Sequence, residues 1–266
     1  MATDVEGSIK SMTQQRQYTR PGAGEFGEVA DYYDHLMRTV PYARWVDYVE
    51  GLLRRWDKQP VTVLDLACGT GKVGSEMARR GYVARGADLS EPMVRHCSEQ
   101  DPPLPALVCD AAQMALADES FDLVVSLYDS LNYVLDPEKL MACLLEAQRV
   151  ARSGGLFIFD LNTEHALSAG LFTQDNMRTS EPLQYSWEAH WDTATRICTV
   201  DMIYYWEGEG GPKHFRETHY QRAYSDDEVL CMLRMAGFDR FESYSAYSFR
   251  PVTFRSDRAY YVALKE

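Results

Sequence analysis

The feature that most constrains the fold is a short apolar run at residues 61–66 that ends in a turn of small residues. The run is rich in β-branched side chains, carries Asp65 near its end, and is followed by Gly69 and Gly71. Parallel α/β sheets bind small molecules at the carboxyl ends of their strands, where glycines admit the ligand and the next helix offers free N–H groups. The pattern therefore predicts a strand, a ligand-binding turn and a helix.

A second acidic strand end follows at residues 82–88, which end in Asp88. A carboxylate in this place can accept hydrogen bonds from the two hydroxyls of a ribose. Further strands are predicted near 105–109, 121–127 and 154–160, with helical patterns between them. This alternation predicts an α/β fold with a doubly wound, mostly parallel sheet.

The two acidic strand ends and the glycine turn after the first strand resemble those of a known protein family. The residues that carry it are Asp65, Ala67, Gly69 and Gly71, followed by Asp88, Leu89, Ser90 and Met93. Their spacing resembles motifs I and II of class I S-adenosylmethionine-dependent methyltransferases. Tyr33-Asp34-x-Leu36-Met37 and residues 129–133 resemble a bacterial subgroup that acts on small molecules. The resemblance implies a seven-stranded Rossmann-like sheet and S-adenosylmethionine as cofactor.

The resemblance also implies individual cofactor contacts. Asp110 would accept from the adenine amino group, with Ala111 against the ring and Met93 over its face. Tyr33 would reach the methionyl end of the cofactor, and backbone groups near Leu127 would hold the methionyl amine. The predicted cofactor-binding set is Tyr33, Asp65, Ala67, Gly69, Gly71, Asp88, Leu89, Met93, Asp110, Ala111 and Leu127, with no metal ligands. Four of them also have a purely structural explanation: Asp65 as a turn cap, Asp110 as a helix N-cap, and Met93 and Tyr33 as core residues.

Residues 69–74 also satisfy the GxGxxG pattern, and Asp88 follows Gly69 by 19 residues, so an NAD-dependent oxidoreductase is an alternative. In the dinucleotide fingerprint the first glycine directly follows the strand, whereas here Asp65 stands at the strand end and would repel a pyrophosphate. The same charge suits a ligand with an ammonium group, as in S-adenosylmethionine. A protein that binds this cofactor without catalysis is a second alternative.

His219 and Tyr133 are the candidate catalytic residues. Methyl transfer from a sulfonium depends on alignment of the reactants, and a hydroxyl or ammonium acceptor must also lose a proton. His219 is the candidate base because it ends the predicted insertion, while Tyr133 follows the fourth strand and could orient the acceptor. Both could equally be packing residues. Arg222 and Arg250 do not indicate an acidic acceptor, since exposed arginines are mostly solvated.

The chain is predicted to contain a flexible tail at 1–24, a cofactor-binding domain at 25–162 and 223–266, and an insertion at 163–222. The insertion should be antiparallel, because period-two, aromatic-rich segments begin near residue 181. Since it follows the fifth strand, it is expected to cover the ligand as a lid. Its rings could stack on an acceptor or face a cationic amine: Tyr185, Trp187, Trp191, Tyr204 and Trp206.

The composition of the chain limits the classes of partner that it is expected to bind. A formal net charge of −13 would repel the phosphate backbone of a nucleic acid. Six scattered cysteines without a CxxC pair are typical of free thiols in a reducing cytoplasm. No apolar run approaches the roughly 20 residues of a membrane span. We expect a cytoplasmic enzyme, monomeric or homodimeric, that methylates a nitrogen or oxygen of a small molecule and has no nucleic-acid or membrane partner.

Overall fold

The computed structural model describes residues 26–266, so the predicted tail at 1–24 lies outside the described residues. In chain order the elements are α1 (Ala30–Leu36), α2 (Tyr42–Arg55), β1 (Thr62–Leu66), α3 (Lys72–Arg79), β2 (Val83–Asp88), α4 (Glu91–Arg95), a 3₁₀ turn (His96–Glu99), β3 (Ala106–Val108), β4 (Phe121–Ser126), a 3₁₀ turn (Ser130–Tyr133), α5 (Pro137–Val150), β5 (Ala151–Asn162), α6 (Glu164–Ser168), β6 (Gln174–Asp175), β7 (Leu183–Asp192), β8 (Ile197–Trp206), β9 (Lys213–Arg222), α7 (Asp226–Met235), β10 (Arg240–Ser245) and β11 (Arg258–Leu264).

Seven strands form the main sheet, in the order β10-β11-β5-β4-β1-β2-β3. The first five strands of the chain run parallel, and β11 is antiparallel to both of its neighbours. The predicted doubly wound, mostly parallel sheet is confirmed. After β3 at one edge, the chain crosses back to β4 on the other side of β1. This reversal leaves a crevice at the carboxyl ends of β1 and β4, where open α/β sheets bind ligands.

The sheet is rigid because both of its faces are buried. Val63 of β1 and Ile158 of β5 pack with helices α2 and α3 on one face. Their sequence neighbours Leu64 and Phe157 pack with α5 and α7 on the other face. Neighbouring strand residues point to opposite faces, and burial of each large apolar side chain contributes about 1.5–3 kcal/mol. The strand ends that carry the acidic residues therefore have fixed positions.

The second sheet is antiparallel and has the order β6-β7-β8-β9, which confirms the predicted insertion after β5. Its inner face packs on α1 through Val29, Tyr32, Val200, Tyr204 and Phe215. Helix α7 then returns the chain to the main sheet, beginning at a capping box formed by Ser225 and Glu228. No helix among residues 26–266 is long and apolar enough to cross a membrane.

Candidate functional site

A cavity of about 1120 Å³ lies between the carboxyl ends of the central strands and the insertion sheet. Its wall contains ten of the eleven predicted cofactor-binding residues, together with both predicted catalytic residues. The ten are Tyr33, Asp65, Ala67, Gly69, Asp88, Leu89, Met93, Asp110, Ala111 and Leu127. Residues that are far apart in the sequence thus meet around one space.

Left-handed backbone shapes the turn after β1. Ala67 and Gly69 both have φ of 56°, which only glycine adopts without strain. A Cβ added at Gly69 would have one neighbour within 4 Å, the Met93 Cε at 3.5 Å. The space in front of Gly69 is therefore open to a ligand. Ala67 adopts this backbone with its methyl group present, at a cost of about 1–2 kcal/mol.

Gly71 is the predicted cofactor residue that does not line the cavity. It precedes α3 with φ of 87°, and an added Cβ would lie 3.0 Å from the Cys97 Sγ and 3.1 Å from the Leu104 Cδ2. The absence of a side chain at Gly71 thus permits close packing behind the turn. Its part in ligand binding is indirect, through the conformation of that turn.

Asp65 is a buried acid in the cavity wall, with 2% of its surface exposed. One carboxylate oxygen accepts a hydrogen bond from the Gly74 N–H at 2.8 Å. Burial raises the pKa of Asp65 to about 7, against the effect of that hydrogen bond, and the nearby Asp88 charge raises it further. No lysine or arginine among residues 26–266 pairs with it. A ligand ammonium group would supply the missing cation, so this acid fits the methionyl end of S-adenosylmethionine.

Asp88 closes the turn from the neighbouring strand. Its carboxylate accepts the Gly69 N–H at 2.7 Å and the Ser90 N–H at 2.8 Å. Burial raises its pKa despite these hydrogen bonds. Each carboxylate oxygen can accept a second hydrogen bond, so acceptor capacity remains for ribose hydroxyls. Leu89 and Met93, which follow in the chain, lie in the same part of the wall.

Asp110 stands after β3 and holds an ion pair that the sequence did not indicate. Its carboxylate lies 2.9 Å from the Lys139 Nζ and accepts the Ala112 N–H at 3.0 Å. Although burial acts in the opposite direction, these partners hold the pKa of Asp110 below its usual value. The acid is thus an ionised acceptor, and Ala111 beside it lines the cavity.

Tyr33 and Leu127 occupy the wall on the side of α1 and β4. The Tyr33 ring packs edge-on against Phe26, with 5.9 Å between the ring centroids. Burial raises the pKa of Tyr33 well above its usual value, so its hydroxyl is a neutral hydrogen-bond donor. Leu127 follows directly after the last residue of β4, where backbone groups face the crevice.

The two predicted catalytic residues are hydrogen-bonded to each other. The Tyr133 hydroxyl lies 3.1 Å from the Nδ1 of His219, and the Nε2 of His219 lies 2.8 Å from a carboxylate oxygen of Glu217. His219 is 2% exposed and Glu217 is 7% exposed. With Glu217 ionised, its carboxylate accepts the Nε2 proton, which leaves Nδ1 free to accept the Tyr133 hydroxyl proton.

Glu217 is a functional residue that the sequence analysis missed. Its carboxylate also accepts the N–H groups of Phe26 and Val29, at 3.1 and 3.0 Å, so it ties the start of the described chain to the insertion. A signal was present in the sequence. Glu217, His219 and Gln221 alternate along β9 and are all buried, as expected for polar residues that face a site from one side of a strand.

A buried ionic network holds the loop that leads to Tyr133. Arg258 pairs with Asp160 and, at 2.7 Å, with Asp129. Asp160 also accepts the backbone N–H groups of Tyr128 and Asp129, at 2.7 and 3.1 Å. Gln221 of the insertion donates to Asp129 at 2.7 Å. The network therefore joins the insertion to the ends of the central strands.

Comparison with known proteins agrees with this arrangement. Residues 64–159 match the family model described as "Methyltransferase domain". YqeM of Bacillus subtilis, a provisionally named methyltransferase, is 28% identical over 240 residues, which cover 89% of this chain and 95% of that protein. Residues 64–159 thus form a methyltransferase domain, as the resemblance to class I S-adenosylmethionine-dependent methyltransferases implies. The dinucleotide alternative is therefore set aside, and S-adenosylmethionine is the cofactor of this methyltransferase.

Solved structures share the fold of the methyltransferase over nearly all of its length. An S-adenosylmethionine-dependent methyltransferase from Clostridium acetobutylicum superposes with a TM-score of 0.78 at 24% identity, covering 91% of this chain and 99% of that one. The sugar N-methyltransferase KedS8 from Streptoalloteichus sp. gives a TM-score of 0.75 at 20% identity, covering 92% and 94%. The antiparallel insertion thus belongs to the shared fold.

Proposed function

We propose that this methyltransferase transfers a methyl group to a nitrogen or oxygen of a small-molecule acceptor held between the turn after β1 and the insertion. The observation that carries the proposal is a hydrogen-bonded series in which Tyr133 and His219 line the same cavity as the predicted cofactor residues and Glu217 lies behind His219. Such a series can remove a proton from an acceptor. The enclosed cavity and the likeness to a sugar N-methyltransferase support a small acceptor.

The proposed cofactor contacts follow the charges of the wall. Asp65 faces the methionyl ammonium, Asp88 accepts from the ribose hydroxyls, and Asp110 accepts from the adenine amino group. Ala67, Gly69, Leu89, Met93, Ala111, Leu127 and Tyr33 complete the enclosure. When bound, the cofactor supplies an electrophilic methyl group whose S–CH₃ bond breaks, leaving its electrons on sulfur, as the acceptor lone pair forms the new bond.

The protein residues move the proton and exclude water. An acceptor N–H or O–H near Tyr133 can give its proton to the tyrosine oxygen while the tyrosine proton passes to the Nδ1 of His219. The imidazolium that forms is stabilised by the Glu217 carboxylate, 2.8 Å from Nε2. Because His219 and Glu217 are buried, this ion pair forms in a medium of low dielectric, where the attraction between the charges is stronger.

The proposed domain organisation assigns residues 25–162 and 223–266 to cofactor binding and residues 163–222 to a lid. The lid supplies His219 and Glu217, whereas the cofactor-binding part supplies Tyr133. The proton path therefore forms only when the two parts are together. The six free cysteines suit a reducing compartment such as the cytoplasm.

The first test is binding followed by turnover. Titration of the protein with S-adenosylmethionine, S-adenosylhomocysteine and NAD should show micromolar binding of the two adenosyl ligands alone. Incubation with pooled small-molecule amines and alcohols should then release S-adenosylhomocysteine. Binding without turnover across such pools would favour the alternative of a cofactor-binding protein without catalysis.

The proton path is tested by Glu217→Gln. The amide NH₂ must face a backbone N–H or the Nε2–H of His219, so one donor loses its acceptor and the path is disturbed. We expect transfer to slow at least about tenfold, with unchanged affinity for S-adenosylhomocysteine. Glu188→Gln is the matched control, because Glu188 is an exposed lid residue outside the cavity. Equal rates for the two variants would contradict the proposed path.

A further inference from the structure

The lid side of the cavity is apolar and aromatic. Tyr133, which should meet the acceptor, packs against Phe26 with 5.2 Å between the ring centroids. The lid also contributes the apolar or aromatic residues Phe172, Trp187, Val200, Met202 and Tyr204, beside the polar His219 and Gln221. Such a surface favours a ring or hydrocarbon frame, because burial removes apolar area from water and aromatic faces attract rings and cations.

Every lysine and arginine that lines the described part of the cavity already has a carboxylate partner. The pairs are Lys72 with Asp34 at 2.6 Å, Lys139 with Asp110 at 2.9 Å, Arg95 with Glu91 at 3.7 Å, and Arg258 with Asp129 at 2.7 Å and with Asp160. The wall also contains Asp65, Asp88 and Asp136, which have no basic partner among residues 26–266. The cavity therefore has an excess of negative charge.

This charge distribution discriminates between acceptors. The lid residues that line the cavity include no lysine or arginine, so an acceptor carboxylate or phosphate placed against the lid would lose its hydration without gaining a cation. Arg222 and Arg250, from which the sequence analysis inferred no acidic acceptor, do not line the cavity. An ammonium group meets the opposite situation: with Asp65 paired to the cofactor ammonium, the acids Asp88 and Asp136 and the aromatic faces still attract it.

We propose that the acceptor is an amine on an apolar, ring-bearing frame, without a carboxylate or phosphate group. The inference rests on the proposed function and deepens it by naming the acceptor class. The amine binds in its protonated form, loses one proton to Tyr133 and His219, and then has the lone pair that attacks the methyl group. The proposal disfavours sugar nucleotides, because their diphosphate would meet no unpaired cation among the lining residues at 26–266.

Titration of the protein, saturated with S-adenosylhomocysteine, against matched ligand pairs tests the proposal without turnover. The pairs are tryptamine with tryptophan, phenethylamine with phenylalanine, and pyridoxamine with pyridoxamine 5′-phosphate, with dTDP as a further probe. We expect at least one amine to bind, and each amine that binds to do so about tenfold or more tightly than its acidic partner. Acidic partners that bind as well as the amines, binding of dTDP, or no binding by any amine would overturn the proposal.

Failure of S-adenosylhomocysteine itself to bind would instead count against the proposed function, and it would be seen before any acceptor is added. A variant pair tests the aromatic face. Trp187→Leu keeps apolar bulk but removes the ring, and should weaken amine binding roughly 2- to 30-fold. Trp191→Leu is the control, because Trp191 lies on the same strand outside the cavity wall. Unchanged amine affinity in Trp187→Leu would contradict the role of the aromatic face.

Discussion

The two halves of the cavity are built in different ways. The half that would hold the methyl donor, the donor half, consists of turns at the ends of neighbouring parallel strands. Its acids accept hydrogen bonds from backbone N–H groups of these turns, as Asp88 does from Ser90 in its own turn and from Gly69 in the adjacent turn. The half that would hold the methyl acceptor, the acceptor half, joins residues far apart in the sequence. The Phe26 N–H donates to the Glu217 side chain across 191 residues, and Tyr133 is linked to Glu217 through His219. The difference implies that donor binding depends on local backbone conformation, whereas proton removal depends on the packing of the lid.

The largest expected effect is on the acceptor half. His219→Ala should lower kcat/KM by about 10²–10⁴, because the proton path loses its base, while the affinity for S-adenosylhomocysteine stays unchanged. Transfer rates with an identified amine and parallel titrations measure the two quantities. Because His219 is buried, His219→Asn serves as a second variant that keeps a polar side chain, and thermal melting verifies that both are folded.

His190→Ala provides the matched control for this experiment. His190 lies on β7 of the same lid but has 58% of its side chain exposed and does not line the cavity. Rates for His219→Ala within about threefold of the unmodified protein would show that no general base acts at this position. A parallel loss of cofactor affinity would instead show that the two halves are not independent.

The next effect concerns the donor half. Asp88→Ala should weaken binding of S-adenosylhomocysteine by about 1–3 kcal/mol, or roughly 5- to 150-fold, through the loss of charge-assisted hydrogen bonds to the ribose. The 2′-deoxyribose analogue of the ligand sharpens the test. The unmodified protein should prefer the natural ligand, and the variant should bind both about equally. If Asp88→Ala still prefers the natural ligand over the 2′-deoxyribose analogue, Asp88 does not recognise the ribose.

The same contrast explains how much could be predicted from the sequence. The parallel strands and the acids of the donor half follow from apolar runs, glycine turns and strand-end carboxylates, which are local patterns. The packing of Gly71 against Cys97 and Leu104 could not be predicted, because it is a tertiary contact. Glu217 and Arg258 were missed for a similar reason. Their partners lie on other elements, and no local period identifies which buried charges will meet.

A smaller effect is expected from the titration of Asp65. With a pKa near 7 in the free protein, this carboxyl is largely neutral at pH 6 and ionised at pH 8. Since the ligand ammonium pairs with the ionised form, affinity for S-adenosylhomocysteine should fall roughly tenfold from pH 8 to pH 6, and binding near pH 7 should release a proton. Titrations in buffers of different ionisation enthalpy measure that proton.

The variant Asp65→Asn distinguishes the titration of Asp65 from the titration of other groups in the cavity. The asparagine oxygen can still accept the Gly74 N–H, but affinity should become weak and independent of pH. The effect of Asp65 on folding stability has the opposite pH dependence to its effect on ligand binding. Because the folded pKa is raised, the contribution of Asp65 to stability is complete below about pH 4 and is lost as the pH rises through 7. If ligand binding still depends on pH in Asp65→Asn, a titrating group other than Asp65 causes that dependence.

The smallest expected effect tests whether local backbone conformation, and not tertiary packing, stabilises the turn after β1. Ala67→Gly removes a methyl group from a left-handed residue, which relieves about 1–2 kcal/mol of strain but adds about 0.4–1 kcal/mol of unfolded-state entropy. We expect a net gain near 0.5–1 kcal/mol in the free energy of unfolding, with cofactor affinity preserved. Ala78→Gly in α3 is the control and should lose about 1 kcal/mol, because the backbone there is helical. Denaturant unfolding measures both. Equal destabilisation of the two variants would mean that the Ala67 methyl group makes packing contacts that outweigh its strain, and the donor half would then depend on tertiary packing as the acceptor half does.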